Sequence, residues 1–115
     1  MAVTAFASGT QTATVGTEHF LANVNEAGVY TFHVDTVNMV AGDVLELRVY
    51  QMVLTSGTAR VAYFQSYVGA QSTDDLIKIS VPISNELTDA NSLRFSLKQT
   101  AGTSRDFPWK VLRHA

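Results

Sequence analysis

Hydrophobic and polar residues alternate along several segments of the chain, which is the pattern of β-strands. Leu93, Phe95 and Leu97, for example, are separated by Arg94 and Ser96. Successive side chains on a strand point to opposite faces, so each such segment offers one face to a core and one to solvent or a partner. Segments of this kind lie at residues 45–53, 77–83, 93–97 and 107–111.

Glycine-containing turns separate these segments, at residues 25–28, 41–43, 55–58 and 101–103. The turns and the strand-like runs predict seven or eight strands in two antiparallel sheets, an all-β sandwich or a jelly-roll-like fold. Residues 18–24 fit either a short helix or a strand, and their β-rich flanks favour the strand. Pro82 and Pro108 lie inside strand-like runs, so these strands are expected at sheet edges or to be bulged.

The alternation also predicts which residues face the core. In residues 77–83 the isoleucines and Val81 are expected inside, with Lys78 and Ser80 outside. Residues 59–68 are apolar on both faces, which fits a strand buried on both sides. The same residues also fit a strand with its tyrosine face against another subunit.

Residues 1–16 differ from the rest in being small, polar and rich in threonine and alanine, with Phe6 as the one large side chain after Met1. Such a segment buries little apolar surface on its own. We therefore expect an extended N-terminal arm at 1–16 and a single β-sandwich domain at 17–115. The arm is either a frayed terminus or a segment that becomes ordered along a partner, for instance by adding a strand to a sheet edge.

Composition limits the classes of function. The chain has 115 residues, enough for a core without disulfides, and it contains no cysteine. Its net charge is −2 and its basic residues are scattered, which argues against nucleic-acid binding. Its apolar runs are shorter than a membrane helix, and its start lacks the features of a secretory signal. A protein made and used without export is expected.

Candidate chemistry is sparse. The three histidines lack the spacing of a zinc motif, and His33 with Asp35 is interpreted as a solvated surface pair. Asp74 and Asp75 form an acidic doublet without the loop spacing of a calcium site. No nucleophile elbow, phosphate-binding loop or paired-carboxylate pattern stands out. We therefore expect no enzyme and no cofactor.

The remaining candidates are apolar side chains that suit a protein contact. Trp109 shares a strand face with Phe107 and Val111 and is assigned to the core. Tyrosine and methionine are enriched at protein interfaces, although tyrosines also stack on sugar rings in glycan-binding modules. The predicted interface residues, on the arm and on two strands, are Val3, Phe6, Val15, Tyr50, Met52, Tyr63 and Tyr67.

Three stretches, at residues 42–48, 57–63 and 97–111, resemble small structural proteins of tailed bacteriophages. Within that group the chain is most similar to the head decoration, or cement, proteins. The likeness extends from about residue 10 to the C-terminus, and it covers turns and core strands rather than a chemical site.

The resemblance implies a virion protein on the capsid surface, made in the host cytoplasm. Its expected partners are the major capsid protein and further copies of itself, most simply in a trimer at the symmetry axes of the shell. A phage tail or fibre component and a glycan-binding β-sandwich module are the alternatives.

Overall fold

The computed structural model describes residues 2–115, which fold into nine strands with no helix in that range. No described element is therefore a helix able to cross a membrane. The prediction of an all-β chain is confirmed. The strands are β1 (Val3–Thr12), β2 (Glu18–Val24), β3 (Gly28–Asp35), β4 (Val44–Gln51), β5 (Arg60–Val68), β6 (Ile77–Ile79), β7 (Ile83–Asn85), β8 (Leu93–Ala101) and β9 (Asp106–His114).

The strands form two antiparallel sheets. Sheet A has the order β1-β9-β3-β6, with β7 also paired to β3, and sheet B has the order β2-β8-β4-β5. The predicted two-sheet arrangement is thus present. Nine strands are found instead of seven or eight because β6 and β7 run along the same neighbour, β3, as two pieces separated by residues 80–82.

The core lies between the sheets and consists mostly of residues that the alternation assigns to the inner faces. The Phe95 ring of sheet B lies 5.5 Å from the Phe32 ring and 6.3 Å from the Tyr30 ring of sheet A, measured between ring centroids. Trp109 is half-buried and packs against this core, as predicted. The fully buried hydrophobic side chains include Val24, Tyr30, Phe32, Val34, Leu45, Val49, Leu93, Phe95, Leu97, Phe107 and Val111.

An extended N-terminal arm is not what the structure shows for residues 3–12. They form β1, which pairs with β9 from Val3↔His114 to Thr12↔Asp106. The Phe6 ring packs edge-on against Tyr30, with centroids 5.6 Å apart. A segment too poor in apolar residues to order itself is ordered here because β9 supplies hydrogen-bond partners and the core supplies an aromatic contact.

The two prolines differ in their position in sheet A: one lies at its edge and the other in a central strand. Pro82 lies between β6 and β7 at the edge of sheet A, so the prediction of an edge strand is confirmed for this proline. Pro108, in contrast, belongs to β9, which is central because it pairs with both β1 and β3, so the prediction of an edge strand there is wrong. The proline is tolerated because the pairing of β9 with β3 ends at Trp109, and Pro108 has a partner only in β1.

Strand β5 is the exposed edge of sheet B, so the prediction of a strand buried on both faces is wrong. Its tyrosine face is the inner one, because Tyr63 and Tyr67 lie opposite Val49 and Leu45 and pack against the core. Phe64 and Val68 point outward.

Candidate functional site

Strand β6 places its residues on the faces opposite to those that the sequence pattern predicts. Lys78 lies opposite the buried Val34 and is only 6% exposed, whereas Ile79 is 56% exposed. The Lys78 ammonium group lies 2.9 Å from a carboxylate oxygen of Asp75 and 4.9 Å from the centre of the Tyr67 ring. The charge of the buried lysine is therefore balanced by Asp75 and the Tyr67 ring, while the neighbouring isoleucines face outward.

The reversal arises from one extra residue between β6 and β7. His33 pairs with Ile79 and Tyr30 pairs with Ile83, so three steps along β3 correspond to four steps along the edge. A single inserted residue moves the side chains to the other face of a sheet. Ile83 accordingly points into the core, whereas Ile77, Ile79 and Val81 do not.

Ser80 holds this irregular segment in place. Its hydroxyl accepts a hydrogen bond from the Phe32 amide at 2.9 Å, and its own amide donates to the Phe32 carbonyl at 2.8 Å. The Ser80 hydroxyl also donates to the Val81 carbonyl at 2.9 Å. The side chain thus satisfies a backbone group of β3 where the regular ladder is interrupted.

The outward isoleucines line a shallow groove of about 770 Å³ across sheet A. The groove crosses strands β1, β9, β3 and β6, and we call it the sheet A groove. Its lining residues are Ser8, Gly9, Thr10, His33, Asp35, Ile77, Ile79, Pro108, Trp109 and Lys110.

Polar groups on this face centre on His33. The Thr31 hydroxyl lies 2.8 Å from His33 Nε2 and 3.3 Å from His114 Nε2, so it joins the two imidazoles. Burial, together with the charges of Lys110 and His114, lowers the pKa of His33 from its ordinary value of 6.5. His33 is therefore neutral at pH 7 and presents hydrogen-bonding capacity rather than charge.

The outer face of sheet B carries a network of side chains that bind one another. The Tyr50 hydroxyl and the Ser96 hydroxyl both donate to Glu18 Oε2, at 2.7 and 2.6 Å. Burial raises the pKa of Glu18, but these hydrogen bonds and the charges of Arg48 and Lys98 outweigh it and leave the pKa below 4.5. The Arg94 guanidinium covers the Phe20 ring at 3.8 Å. These polar groups are already satisfied within the chain.

The predicted interface residues do not form one surface. Val3 and Val15 are exposed, Phe6 and Tyr50 are half-buried in the contacts described above, and Met52 is half-buried. Tyr63 and Tyr67 face the core. A role for these residues in binding remains a prediction. The sequence pattern did not predict that residues of β6 are exposed. The one signal in the sequence was the serine and proline at 80 and 82, which indicate an interruption of the strand.

Within residues 2–115, no cluster of three or more histidine, cysteine, aspartate or glutamate side chains has an arrangement suited to a metal ion. Comparisons of the chain with protein-family models, curated proteins and solved structures gave no significant match.

Proposed function

We propose that this chain is a virion structural protein that binds the outer surface of a phage capsid through the sheet A groove and stabilises the shell. The observation that carries the proposal is the reversed β6, where Ile77, Ile79 and Val81 are exposed and Lys78 is buried. Exposed neighbouring apolar side chains are unfavourable in water and commonly mark a surface that a partner covers. The groove in which the isoleucines lie also offers His33 and Lys110 for polar contacts.

The strand order supports the same proposal. With β6 and β7 counted as one interrupted strand, the orders β1-β9-β3-β6 and β2-β8-β4-β5 correspond to the two four-stranded sheets of a jelly roll. Viral capsid domains often have this architecture, and so do lectins. The fold is therefore compatible with the proposal, while the choice between functions depends on the groove.

A decoration protein of this kind acts by mass action. It binds the assembled major capsid protein and not the separated subunits, so its binding energy is added to the stability of the shell. An oligomer that contacts several capsid subunits at once multiplies modest individual affinities. No catalytic step and no cofactor are required.

The test is to incubate the purified protein with heads that lack it. We expect co-sedimentation with the heads and a higher temperature of shell rupture. Ile79→Asp should abolish both effects, because it puts a charge in the apolar part of the groove. Val53→Asp is the matched control, since Val53 is exposed outside the groove. Heads that rupture at the same temperature with and without the protein, or full binding by Ile79→Asp, would contradict the proposal.

A glycan-binding module is the second candidate. It is favoured by Pro108 in the groove beside Asp35 and Lys110, because sugars bind to apolar surfaces flanked by hydrogen-bonding groups. A glycan array distinguishes the two, and an array without hits removes this candidate. Imaging of the native particle separates a capsid location from a tail or fibre location.

A further inference from the structure

Strand β5 leaves one edge of sheet B unpaired. It has nine residues, and β4 is its only hydrogen-bonded neighbour in the described structure. At about 3.3 Å per residue the free edge is roughly 30 Å long. Two outward side chains on it, Phe64 and Val68, are 47% and 71% exposed. An edge of this length with exposed apolar side chains is a template for pairing with another strand.

The other sheet edges are less suited to pairing. Strand β1 has a register shift between Ala5 and Ala7 and consists mostly of small residues. Strand β2 carries Glu18 and His19, and β6 has only three residues. Charges, irregularities and short length are the usual means by which sheet edges avoid association.

Strand β5 has little such protection. Its one charge is Arg60 at its first residue, and its register shift lies near its start, where Tyr50 pairs with Val61 and Val49 with Tyr63. Residues 63–68 are regular and uncharged.

We propose that β5 pairs antiparallel with β5 of a second copy of this chain, joining two B sheets into one continuous sheet of eight strands. Residues that lie opposite each other on antiparallel strands share a face of the sheet. In a two-fold pair of identical strands, one residue must therefore lie opposite the same residue of the second copy, with the two-fold axis between them. With Ser66 on the axis, Phe64 of each copy lies opposite Val68 of the other. This register brings the exposed apolar side chains of both copies together.

Charge complementarity favours a second copy as the occupant. In this register Arg60, at the start of β5, approaches the turn that follows β5 in the second copy. That turn carries Asp74 and Asp75, and the Lys78 ammonium group contacts both the Asp75 carboxylate and the ring of Tyr67 in β5. Antiparallel pairing thus puts the basic start of each strand near the acidic turn of the other.

This inference is independent of capsid binding, because none of the residues that line the sheet A groove belongs to β5 and the dimer is a property of the isolated chain. A self-paired strand gives a two-fold dimer, which differs in mass from the trimer that the family resemblance implies. Mass measurement in solution separates these two assemblies.

A cysteine at the axis provides a direct test. Ser66→Cys puts two thiols on residues whose Cα atoms are about 4.5–5.5 Å apart in the proposed pair, within the range that a disulfide spans. The chain has no other cysteine. We expect mild oxidation with diamide to convert Ser66→Cys largely to a cross-linked dimer. Thr10→Cys, exposed on the edge strand β1, should remain mostly monomeric on a denaturing gel, and equal cross-linking of the two would overturn the proposal.

A lysine at the same position tests the pairing without oxidation. Ser66 lies opposite Glu46 within the chain, so Ser66→Lys gains a favourable cross-strand pair in the monomer. In the dimer the two lysines would face each other, and we expect the dimer dissociation constant to rise roughly tenfold or more. Thr10→Lys is the control of equal charge. A wild-type protein that sediments as a monomer or a trimer at every concentration, or a Ser66→Lys dimer as stable as wild type, would overturn the inference.

Discussion

The ammonium group of Lys78 lies 4.9 Å from the centre of the Tyr67 ring, so a strand of sheet A contacts a strand of sheet B through a cation–π interaction. Burial, Tyr63 and Asp75 raise the pKa of Tyr67 to about 12, so its phenol is neutral at physiological pH. The contact lets a lysine occupy an inner position of β6 and leaves Ile77 and Ile79 outside.

The first prediction concerns this contact. Lys78→Ala should lower the free energy of unfolding by about 1–2 kcal/mol, because it removes the cation–π contact and the packing of the lysine stem. Lys78→Met, which keeps the stem, should cost less than about 1 kcal/mol. Asp75→Asn should also cost less than about 1 kcal/mol, because Asp75 is exposed. Urea denaturation measures all three, and a loss for Asp75→Asn as large as that for Lys78→Ala would contradict the assignment.

The second prediction tests whether residues 3–12 are a strand. Phe6→Ala should lower the free energy of unfolding by about 1–2 kcal/mol, since it removes a half-buried ring that packs against Tyr30. Hydrogen exchange should show protected amides in β1 of the wild type and faster exchange there in the variant. Unprotected amides throughout β1 in the wild-type protein would instead support an arm.

The third prediction compares two glycines with nearly the same backbone angle. Gly42 and Gly102 have φ values of 93° and 91°. A Cβ at Gly42 would meet open space, whereas a Cβ at Gly102 would collide with Asp43. Gly42→Ala should cost about 1 kcal/mol for the left-handed backbone, and Gly102→Ala should cost at least about 2 kcal/mol more. Thermal or urea unfolding of the two variants measures the cost of the collision as the difference between their free energies of unfolding. Equal losses of stability would show that Asp43 moves aside freely.

The fourth prediction concerns pH. Asp43 is buried, which raises its pKa, but hydrogen bonds from Arg105 and the Val40 amide outweigh burial and hold the pKa below 3.8. A carboxyl with a depressed folded pKa stabilises the fold above its unfolded pKa, and this stability is lost as pH falls through the folded value. The free energy of unfolding should therefore fall as pH drops below about 4. Glu18, whose pKa is also lowered, adds to the loss.

Asp43→Asn is the variant that checks this assignment. It should cost about 3 kcal/mol at pH 7, because the Arg105 guanidinium loses a charged partner 2.8 Å away. Its stability should then depend less on pH between 5 and 2 than that of the wild type. Denaturant titrations across this range give both values, and an unchanged slope would mean that other carboxyls govern acid unfolding.

The alternation of residues was sufficient to predict the fold class and most of the core. Leu93, Phe95 and Leu97 face inward as predicted, because their strand β8 is central in sheet B and keeps its register with β4 across this run. Such strands satisfy the local pattern and the tertiary packing at the same time.

Only the tertiary structure decided which side chains of β6 face the core and whether the N-terminal segment forms a strand. The local pattern of residues 77–83 favours isoleucines inside, but the register with β3 and the extra residue between the two pieces determine the faces instead. Likewise, residues 3–12 become a strand because β9 has a free edge for them. In both cases the deciding hydrogen bonds join residues far apart in the chain, and a pattern read along one segment contains no information about the partner strand.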